Sequence, residues 1–380
     1  MSKLRAIILE RIKRQGQITF KDFMTAVLYY PNLGYYNSER LPIGKAGDFY
    51  TSTFLHPGFG AVIAKVLIEM WLNMGSPSDF YVVEIGAGTG YLCKDIFDYL
   101  YHHQRNKAGD FLRSMRYVIV EFNAHMAKRQ MGLLGGYTNR IKWVKDIKEV
   151  GAGLEGCILS NELLDSFPVH LVEMNNELKE IYVDIDRDNF VEKKQRISTD
   201  ELIKYLNEFN IQLSTGYRTE INLLIKDWLK DVSHLLKRGF VLTIDYGYSS
   251  DEYYNEERRR GTLLCYHKHR VHEDPFQHIG EQDITAHVNF SSLCRWGNEL
   301  GLKTVGYCPQ GIFLIASGLD EIITEVYGNS PHYQFIVQGI KNLILPQGMG
   351  ETHKVMVQYK GKESPLLRGF SISNYVNSLY

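Results

Sequence analysis

The sequence predicts an α/β fold built around a mostly parallel β-sheet. From residue 80 onward, short apolar runs alternate with amphipathic segments of helical period. Strands and helices that alternate in this way form parallel sheets with right-handed crossovers. Three glycines follow the first apolar run directly, and a glycine-rich turn after a buried strand is typical of a ligand site at the edge of such a sheet.

The strands of this sheet are predicted from short apolar runs rich in β-branched and aromatic residues. Five of them lie at residues 80–85, 116–121, 141–144, 156–160 and 240–245. Residues 302–308 and 353–359 are predicted to add two more, which makes the expected sheet seven-stranded. An amphipathic helix is predicted over residues 221–236, and Gly239 is expected to end it because glycine commonly terminates helices.

Two helices and a long loop precede the sheet. An apolar stripe over residues 4–12 predicts a helix docked on the protein, which we favour over a mitochondrial targeting helix. Thr19 is expected to cap a second helix, which ends before Pro31. The loop that follows, at residues 31–52, is rich in glycine and tyrosine, and a third helix is predicted over residues 59–72.

Composition and charge exclude several classes of protein. With 380 residues the chain has room for about two to three domains, and its 44% hydrophobic and 23% charged residues are typical of a globular protein. A formal net charge of -1 gives no bulk attraction to nucleic acid. We therefore expect no nucleic-acid partner. No apolar run approaches the roughly 18 residues of a membrane span, so we expect no membrane partner either.

The five cysteines indicate a reducing compartment. Their number is odd and none forms a C-x-x-C pair, so neither a disulfide scaffold nor a structural zinc site is expected. His267, His269 and His272 have spacings that could suit a metal. No cysteine or carboxylate completes a convincing ligand set nearby, and we therefore predict no metal site.

The glycine-rich turn carries the strongest functional signal. Glu84 lies near the end of the first strand, which runs directly into Gly86, Gly88 and Gly90. Glycines allow a tight turn and a close approach by a ligand, and the following helix offers free N–H groups. A dinucleotide-binding turn has the pattern G-x-G-x-x-G; here the third glycine comes one residue early, which disfavours a nicotinamide-dependent oxidoreductase. The spacing resembles motif I of class I S-adenosylmethionine-dependent methyltransferases, in which the acidic residue holds the methionine amino group.

Two further acids follow strands of the predicted sheet. Glu121 ends the second strand, where a carboxylate can accept both ribose hydroxyls of any adenosine cofactor. Asp146 follows the third strand, and in methyltransferases an acid there commonly reaches the adenine amino group. Both residues are therefore candidate cofactor ligands, and the alternative is a solvated carboxylate at a strand end.

A polar segment follows the fourth strand, where class I methyltransferases carry their substrate-facing motif. It contains Asn161, Glu162 and Asp165. A methyl acceptor needs orientation more than acid catalysis, because the sulfonium donor is already activated. Carboxylates match a guanidinium acceptor, since they accept its fork of N–H bonds. The alternative is an ordinary helix start, capped by Asn161 with acids in its first turn.

Several separated motifs together resemble the MidA (DUF185) family of S-adenosylmethionine-dependent methyltransferases, whose mitochondrial members are complex I assembly factors. The motifs occur in the order found in that family and span most of residues 20–360. They are the segments 30–36, 47–52, 84–90, 161–170, 245–248, 260–263 and 280–290.

The resemblance implies a class I methyltransferase core and a protein arginine as methyl acceptor. It implies an N-terminal helical extension with a cofactor-covering loop and a substrate-side insertion. It also implies that Gly47 and Thr51 border the cofactor site and that Asn161 contacts both cofactor and acceptor. Two departures leave the choice of acceptor open: Thr53-Phe54 stands where the family usually has Pro-Glu, and Ala61 stands where a second acid is common.

These observations predict the following organisation of the chain. The inserted segment after the fourth strand is predicted to be an antiparallel hairpin or a helical lid. The expected parts are an extension with its covering loop at 1–79, a core at 80–170 and 218–360, the inserted lid at 171–217, a second loop insertion at 248–288 and a tail at 361–380.

The function expected from the sequence is transfer of a methyl group from S-adenosylmethionine to a protein side chain, arginine above all, with S-adenosylhomocysteine as product. One alternative is an assembly or scaffold protein that binds the cofactor without catalysis. Another is a small-molecule methyltransferase. The expected compartment is a bacterial cytoplasm, or the mitochondrial matrix for a processed eukaryotic form. The oligomeric state is open, with a homodimer as one possibility.

Overall fold

The computed structural model describes residues 2–39, 48, 52, 56–105, 107–327 and 333–380. The chain divides into two units by its internal contacts. Unit 1 comprises Met1–Phe49, Leu164–Asp227 and Tyr248–Ser292, and unit 2 comprises Tyr50–Leu163, Trp228–Gly247 and Leu293–Tyr380. The domain boundaries expected from the sequence stay a prediction.

The α-helices of the described residues are numbered in chain order. They are α1 (Lys3–Gln15), α2 (Phe20–Tyr29), α3 (Gly58–Asn73), α4 (Tyr91–His102), α5 (Lys107–Ser114), α6 (Ala124–Leu133), α7 (Glu201–Glu208), α8 (Leu224–Leu235), α9 (Ser250–Tyr253), α10 (Phe290–Glu299), α11 (Gln310–Ala316), α12 (Leu319–Tyr327), α13 (Tyr333–Ile344) and α14 (Met349–Thr352).

The β-strands are numbered in the same way. They are β1 (Ile18–Thr19), β2 (Phe80–Ile85), β3 (Met115–Val120), β4 (Ile141–Val144), β5 (Leu154–Asn161), β6 (His170–Met174), β7 (Leu178–Asp186), β8 (Asn189–Arg196), β9 (Arg218–Ile221), β10 (Leu236–Tyr248), β11 (Leu264–His267), β12 (Arg270–His272), β13 (Asp283–Thr285), β14 (Val288–Asn289), β15 (Lys303–Pro309) and β16 (His353–Lys360).

The mostly parallel sheet expected from the sequence forms the centre of unit 2. Seven of its strands lie in the order β15–β16–β10–β5–β2–β3–β4. The pairs from β10 to β4 are parallel, whereas β16 runs antiparallel to both β10 and β15. Because β2, β3, β4, β5 and β10 share one direction, their carboxyl ends meet at one edge of the sheet, where ligands bind in open α/β sheets.

Two glycines in this sheet permit the close parallel pairing of its central strands. Gly239 of β10 lies opposite Gly156 of β5, which in turn lies opposite Tyr81 of β2. The φ angles of Gly156 and Gly239 are +157° and +148°. A Cβ on Gly156 would lie 2.0 Å from the Tyr81 carbonyl oxygen, and one on Gly239 would lie 2.1 Å from that of Gly156. Neither position accepts a side chain without moving a backbone.

The role expected for Gly239 is therefore wrong. Helix α8 ends at Leu235 and β10 begins at Leu236, so Gly239 lies inside a strand and does not terminate the helix. The predicted helix also began too early, because Ile221 belongs to β9. The apolar residues that predicted the helix include Ile221 at the end of β9. Over a few residues, periodicity alone does not distinguish a buried strand from a buried helix.

Unit 1 contains the N-terminal helices and an antiparallel sheet. Strand β6 pairs antiparallel with β7 and β9, and β7 also pairs with β1 and β8, so the expected hairpin after the fourth strand of the central sheet is confirmed and belongs to a larger sheet. Helix α1 buries Leu4, Ile8 and Ile12 of its predicted apolar stripe in the core of this unit. As predicted, the Thr19 hydroxyl accepts the Asp22 N–H at the start of α2. Part of the segment 248–288 forms a small sheet with the strand order β12–β11–β13.

The segment Arg260–Leu263 has a structural role in unit 1. The buried Glu220 carboxylate accepts the backbone N–H groups of Thr262 and Leu263. Gly261 has a φ of +82°, and a Cβ there would lie 2.2 Å from Glu220 Oε1. The glycine thus lets the loop close over a buried carboxylate that needs these donors.

Within the described residues, no helix is long and apolar enough to cross a membrane. The same part of the chain holds no group of three or more His, Cys, Asp or Glu side chains placed to bind a metal ion.

The glycine pair at the centre of the sheet gives a stability prediction. We expect Gly239→Ala to lower the free energy of unfolding by about 1–3 kcal/mol more than Gly151→Ala, because overpacking against backbone adds to the cost of a positive φ. Gly151 is the matched control, since its φ is +95° and nothing lies within 4 Å of an added Cβ. Urea unfolding followed by circular dichroism measures both variants, and equal losses would contradict the steric argument.

Candidate functional site

The turn after β2 forms the floor of the candidate site in unit 2. Gly86, Gly88 and Gly90 have φ angles of +71°, +53° and +88°, in the region that favours glycine. Gly90 precedes the first residue of α4. A Cβ on Gly86 would lie 2.8 Å from Leu163 Cδ1, which belongs to the turn after β5. The three predicted glycines thus serve both the turn itself and its packing against a second loop.

Glu84 lies buried beneath this turn. Its side chain is only 3% exposed, and the Tyr117 hydroxyl donates to its Oε2 at 2.7 Å. Burial raises the pKa of Glu84 to about 7, with the nearby Glu121 carboxylate adding to the rise and the Tyr117 hydrogen bond opposing it. The ionised form of such a buried carboxyl group is stabilised only when a cationic or hydrogen-bonding group approaches it.

Glu121 lies at the end of the neighbouring strand and is held by two donors. The Asn123 N–H donates to its Oε1 at 2.9 Å, and Gln130 Nε2 donates to its Oε2 at 2.9 Å. The same Gln130 nitrogen donates to the Gly88 carbonyl at 2.8 Å, which ties the glycine turn to Glu121. Burial raises the pKa of Glu121 to about 7 against these hydrogen bonds. The sequence interpretation missed Gln130, because a glutamine inside a helix carries no motif.

Asp146 is placed differently from the other two acids. It is exposed, and its carboxylate accepts the Lys148 N–H at 2.9 Å at the start of a short 3-10 turn. In this structure the side chain therefore caps a turn, and its proposed contact with adenine stays a prediction.

The turn after β5 brings Asn161 and Glu162 together. Glu162 has a φ of +51°, a strained conformation for a residue with a side chain. Its N–H donates to the Ile244 carbonyl at 2.8 Å, and the next N–H, of Leu163, donates to Asp245 Oδ2 at 3.1 Å. These two bonds to β10 hold the strained turn. The buried Asp245 thus organises the backbone that presents Glu162.

Three polar groups lie near Glu162 Oε1, and two of them come from distant parts of the chain. The Ser52 N–H donates to it at 2.9 Å, and Asn161 Nδ2 donates at 3.2 Å. His353 Nε2 lies 3.9 Å away. The carboxylate is 7% exposed, so these polar neighbours replace part of the water that it loses on burial.

Ser52 and Gln310 support this arrangement and were not among the predicted site residues. The buried Ser52 hydroxyl donates to Gln310 Oε1 at 3.1 Å, and Gln310 Nε2 donates to the Leu343 carbonyl at 3.1 Å. Ser52 closes the segment 47–52 that carries the family resemblance, so its motif was a usable signal. Gln310 and His353 lie in parts of the chain without such a signal.

Two buried oxygen atoms at the end of β5 have no hydrogen-bond partner in the part of the chain that the structure describes. They are Ser160 Oγ and Asn161 Oδ1. Buried polar atoms are rarely left without a partner. An amide oxygen and a hydroxyl at the carboxyl edge of the sheet are therefore suited to a polar ligand.

Asp165 belongs to unit 1, whereas Asn161 and Glu162 belong to unit 2. It lies in a buried cluster with Asp283 and Tyr36, whose hydroxyl donates to both Asp283 oxygens at 2.8 Å. Burial, and next the charge of Asp165, raise the pKa of Asp283 well above its usual range. Gly47 and Thr51 lie outside the described residues, so their expected position at the cofactor site stays a prediction.

The geometry of unit 2 fits a nucleoside with a cationic substituent. Three glycines with positive φ form the turn, and Glu121 offers acceptors at the strand end. Glu84 lies buried as a carboxyl that a nearby cation would ionise. The amide of Asn161 and the carboxylate of Glu162 stand at the neighbouring strand end.

Comparison with known families and proteins agrees with this geometry. Residues 62–308 match the family described as "Putative S-adenosyl-L-methionine-dependent methyltransferase", so the family has the cofactor that the sequence predicts. The chain is 30% identical to a protein of Burkholderia thailandensis whose crystal structure holds S-adenosyl-homocysteine. That similarity covers 98% of this chain and 95% of the other, with a TM-score of 0.89. The expected fold class is thereby confirmed.

Animal proteins show a more distant similarity over most of the chain. A Drosophila melanogaster protein named "Protein arginine methyltransferase NDUFAF7 homolog, mitochondrial" is 25% identical over 94% of this chain and 84% of its own length. The Homo sapiens "Protein arginine methyltransferase NDUFAF7, mitochondrial" is 26% identical over 90% of this chain and 80% of its own.

The buried Glu84 predicts a pH-dependent stability of the ligand-free protein. Its pKa is about 7 in the folded chain against an ordinary 4.5, so between these pH values the folded state binds more protons and stability falls as pH rises. We expect the stability difference between wild type and Glu84→Gln to decline across this window by about 3 kcal/mol. Urea unfolding at several pH values measures it. Glu299→Gln, at an exposed site, is the control, and parallel curves for wild type and Glu84→Gln would contradict the prediction.

Proposed function

The chain belongs to the family of S-adenosyl-L-methionine-dependent methyltransferases, and from this premise we propose that it methylates a protein side chain, namely the guanidinium of an arginine. The observation that carries the acceptor proposal is the buried carboxylate of Glu162, which is held in a strained turn beside Asn161. The animal relatives are named protein arginine methyltransferases, and these names support the same acceptor.

In the proposed complex the cofactor lies over the glycine turn. The backbone of Gly86, Gly88 and Gly90 faces its methionine and ribose parts. Glu84 holds the methionine amino group, Glu121 accepts the ribose hydroxyls and Asp146 reaches the adenine amino group. When bound, S-adenosylmethionine supplies a methyl group activated by its sulfonium charge. That charge would also ionise the buried Glu84 carboxyl, which accounts for an acid of raised pKa at this position.

The acceptor would be oriented by Glu162 together with Asn161. A carboxylate accepts two parallel N–H bonds from a guanidinium, and this fixes the plane of the group as well as its position. The Asn161 Oδ1 atom, which has no hydrogen-bond partner within the described residues, offers a further acceptor. The role at the acceptor that the sequence suggests for Asp165 stays a prediction.

The compartment is proposed on the same similarity. The animal relatives are mitochondrial by name, which supports the mitochondrial matrix for a eukaryotic source. The Burkholderia thailandensis protein comes from a bacterium, and a bacterial cytoplasm stays a prediction.

Cofactor binding is tested with S-adenosylhomocysteine. We expect Gly88→Val to abolish binding, because a β-branched side chain is disfavoured at a φ of +53° and fills the space over the turn. Gly132→Val in α6 is the matched control, since an added Cβ there meets no atom within 4 Å. Isothermal titration calorimetry measures the affinity, and unfolding curves check that both variants fold. Unchanged binding by Gly88→Val would defeat the assignment of the turn.

Methyl transfer is tested with radiolabelled S-adenosylmethionine and a lysate from cells that lack the protein. We expect label in methylarginine after acid hydrolysis, identified by mass spectrometry. Glu162→Gln should reduce transfer by about 10- to 100-fold, because a hydrogen bond to a charged group is worth about 1.5–3 kcal/mol. It should leave the affinity for S-adenosylhomocysteine unchanged. Label in another residue or in a small molecule would overturn the acceptor, and cofactor binding without any transfer would favour the scaffold alternative.

A further inference from the structure

His353 reaches the candidate site through β16, which runs antiparallel to β10 and β15 in the central sheet. It is the first residue of β16 and lies opposite Tyr246 of β10. Because β16 runs against β10, its first residue stands beside the carboxyl end of β10. Ile244 of β10 pairs in turn with Asn161, so the end of β5 lies at the same edge. His353, which lies near the end of the chain in sequence, is thus placed at the same edge of the sheet as the turn that contains Glu162.

The His353 imidazole lies close to the Glu162 carboxylate. His353 Nε2 lies 3.9 Å from Glu162 Oε1, which is too long for a hydrogen bond. On the other side of the ring, Nδ1 lies 3.2 Å from Thr352 Oγ1. The His353 side chain is 8% exposed.

Other titratable groups of β10 and β16 lie near this ring. Tyr246 of β10 contacts it at 5.3 Å between ring centroids. Lys354, next on β16, donates its Nζ to the Glu351 carbonyl at 2.5 Å and approaches the Glu351 carboxylate at 3.5 Å. Asp245, opposite Lys354, accepts the N–H groups of Leu163 and Tyr246. The Glu162 carboxylate approaches the imidazole to 3.9 Å.

Methylation of a guanidinium releases a proton that some group has to accept. The carbon–sulfur bond of the sulfonium breaks and its electron pair stays on sulfur. A carbon–nitrogen bond forms, and one N–H bond of the guanidinium breaks, so that the methylated product keeps a single positive charge. The proton balances the reaction, and a neutral imidazole beside the acceptor is a suitable base.

We propose that His353 accepts the proton released from the methyl acceptor and that Glu162 stabilises the resulting imidazolium. This inference rests on the proposed function. Glu162 then acts on two groups, because it orients the guanidinium and lowers the free energy of the charged histidine. Neutral His353 receives the proton at Nε2, the nitrogen that faces Glu162.

The first test does not depend on methyl transfer. The Cε1–H signal of His353 is followed by NMR against pH in the ligand-free protein and assigned with His353→Gln. We expect the pKa of His353 to fall by about one unit or more in Glu162→Gln, since an opposite charge typically shifts a pKa by that amount. An identical titration in wild type and Glu162→Gln would overturn the proposed coupling.

The second test measures kcat against pH with the methylated acceptor. His353→Gln is expected to lower kcat by about 10²- to 10⁴-fold and to remove the rise of kcat with pH, with unchanged affinity for S-adenosylhomocysteine. Added imidazole is expected to restore activity to His353→Ala. His103→Gln is the matched control, because His103 stacks on Tyr99 at the end of α4, outside the candidate site. A rise of kcat with pH that persists in His353→Gln would overturn the role as base.

The two tests separate the inference from the proposed function. If the wild-type protein methylates no arginine, the proposed function fails, while the NMR titration still decides whether Glu162 and His353 are coupled. If wild type is active and the His353 variants keep its pH profile, the inference alone fails.

Discussion

The close parallel packing of β2, β5 and β10 is the constraint on which the rest of unit 2 depends. The three backbones meet at Gly156 and Gly239, where a Cβ would strike the neighbouring carbonyl oxygen. This packing sets the register in which Ile85 lies opposite Ser160 and Ile244 lies opposite Asn161. The ends of the strands, with the turns that carry polar residues, therefore lie at the same edge of the sheet.

Two turns at this edge depend on each other. The glycine turn after β2 leaves space that the Leu163 side chain uses, and Leu163 follows the strained Glu162. The strain at Glu162 is held by backbone bonds to Ile244 and Asp245 of β10. A residue kept in an unfavourable backbone conformation by its surroundings is common at functional sites, and here the strain directs a carboxylate towards Asn161, Ser52 and His353.

The site also holds carboxyl groups that the folded protein cannot easily ionise. Burial raises the pKa of both Glu84 and Glu121 to about 7, and each charge would disfavour the other. A cationic cofactor would relieve this cost, so its binding would stabilise the folded protein as well as fill the site. Glu162 is proposed to stabilise a positive charge on His353 in the same way.

The sequence by itself determined the elements of the sheet, the glycine turn and the acids that end the strands, because strand periods and glycine patterns are local properties of the chain. It failed locally at Gly239, where close strand packing, not a helix end, requires glycine. Only the tertiary structure decided that Gln130 joins Glu121 to the turn, that Ser52, Gln310 and His353 support or approach Glu162, and that Asp165 belongs to unit 1. These contacts join residues from separate helices, strands and turns, and a contact of that kind depends on how the elements pack, which no local pattern records.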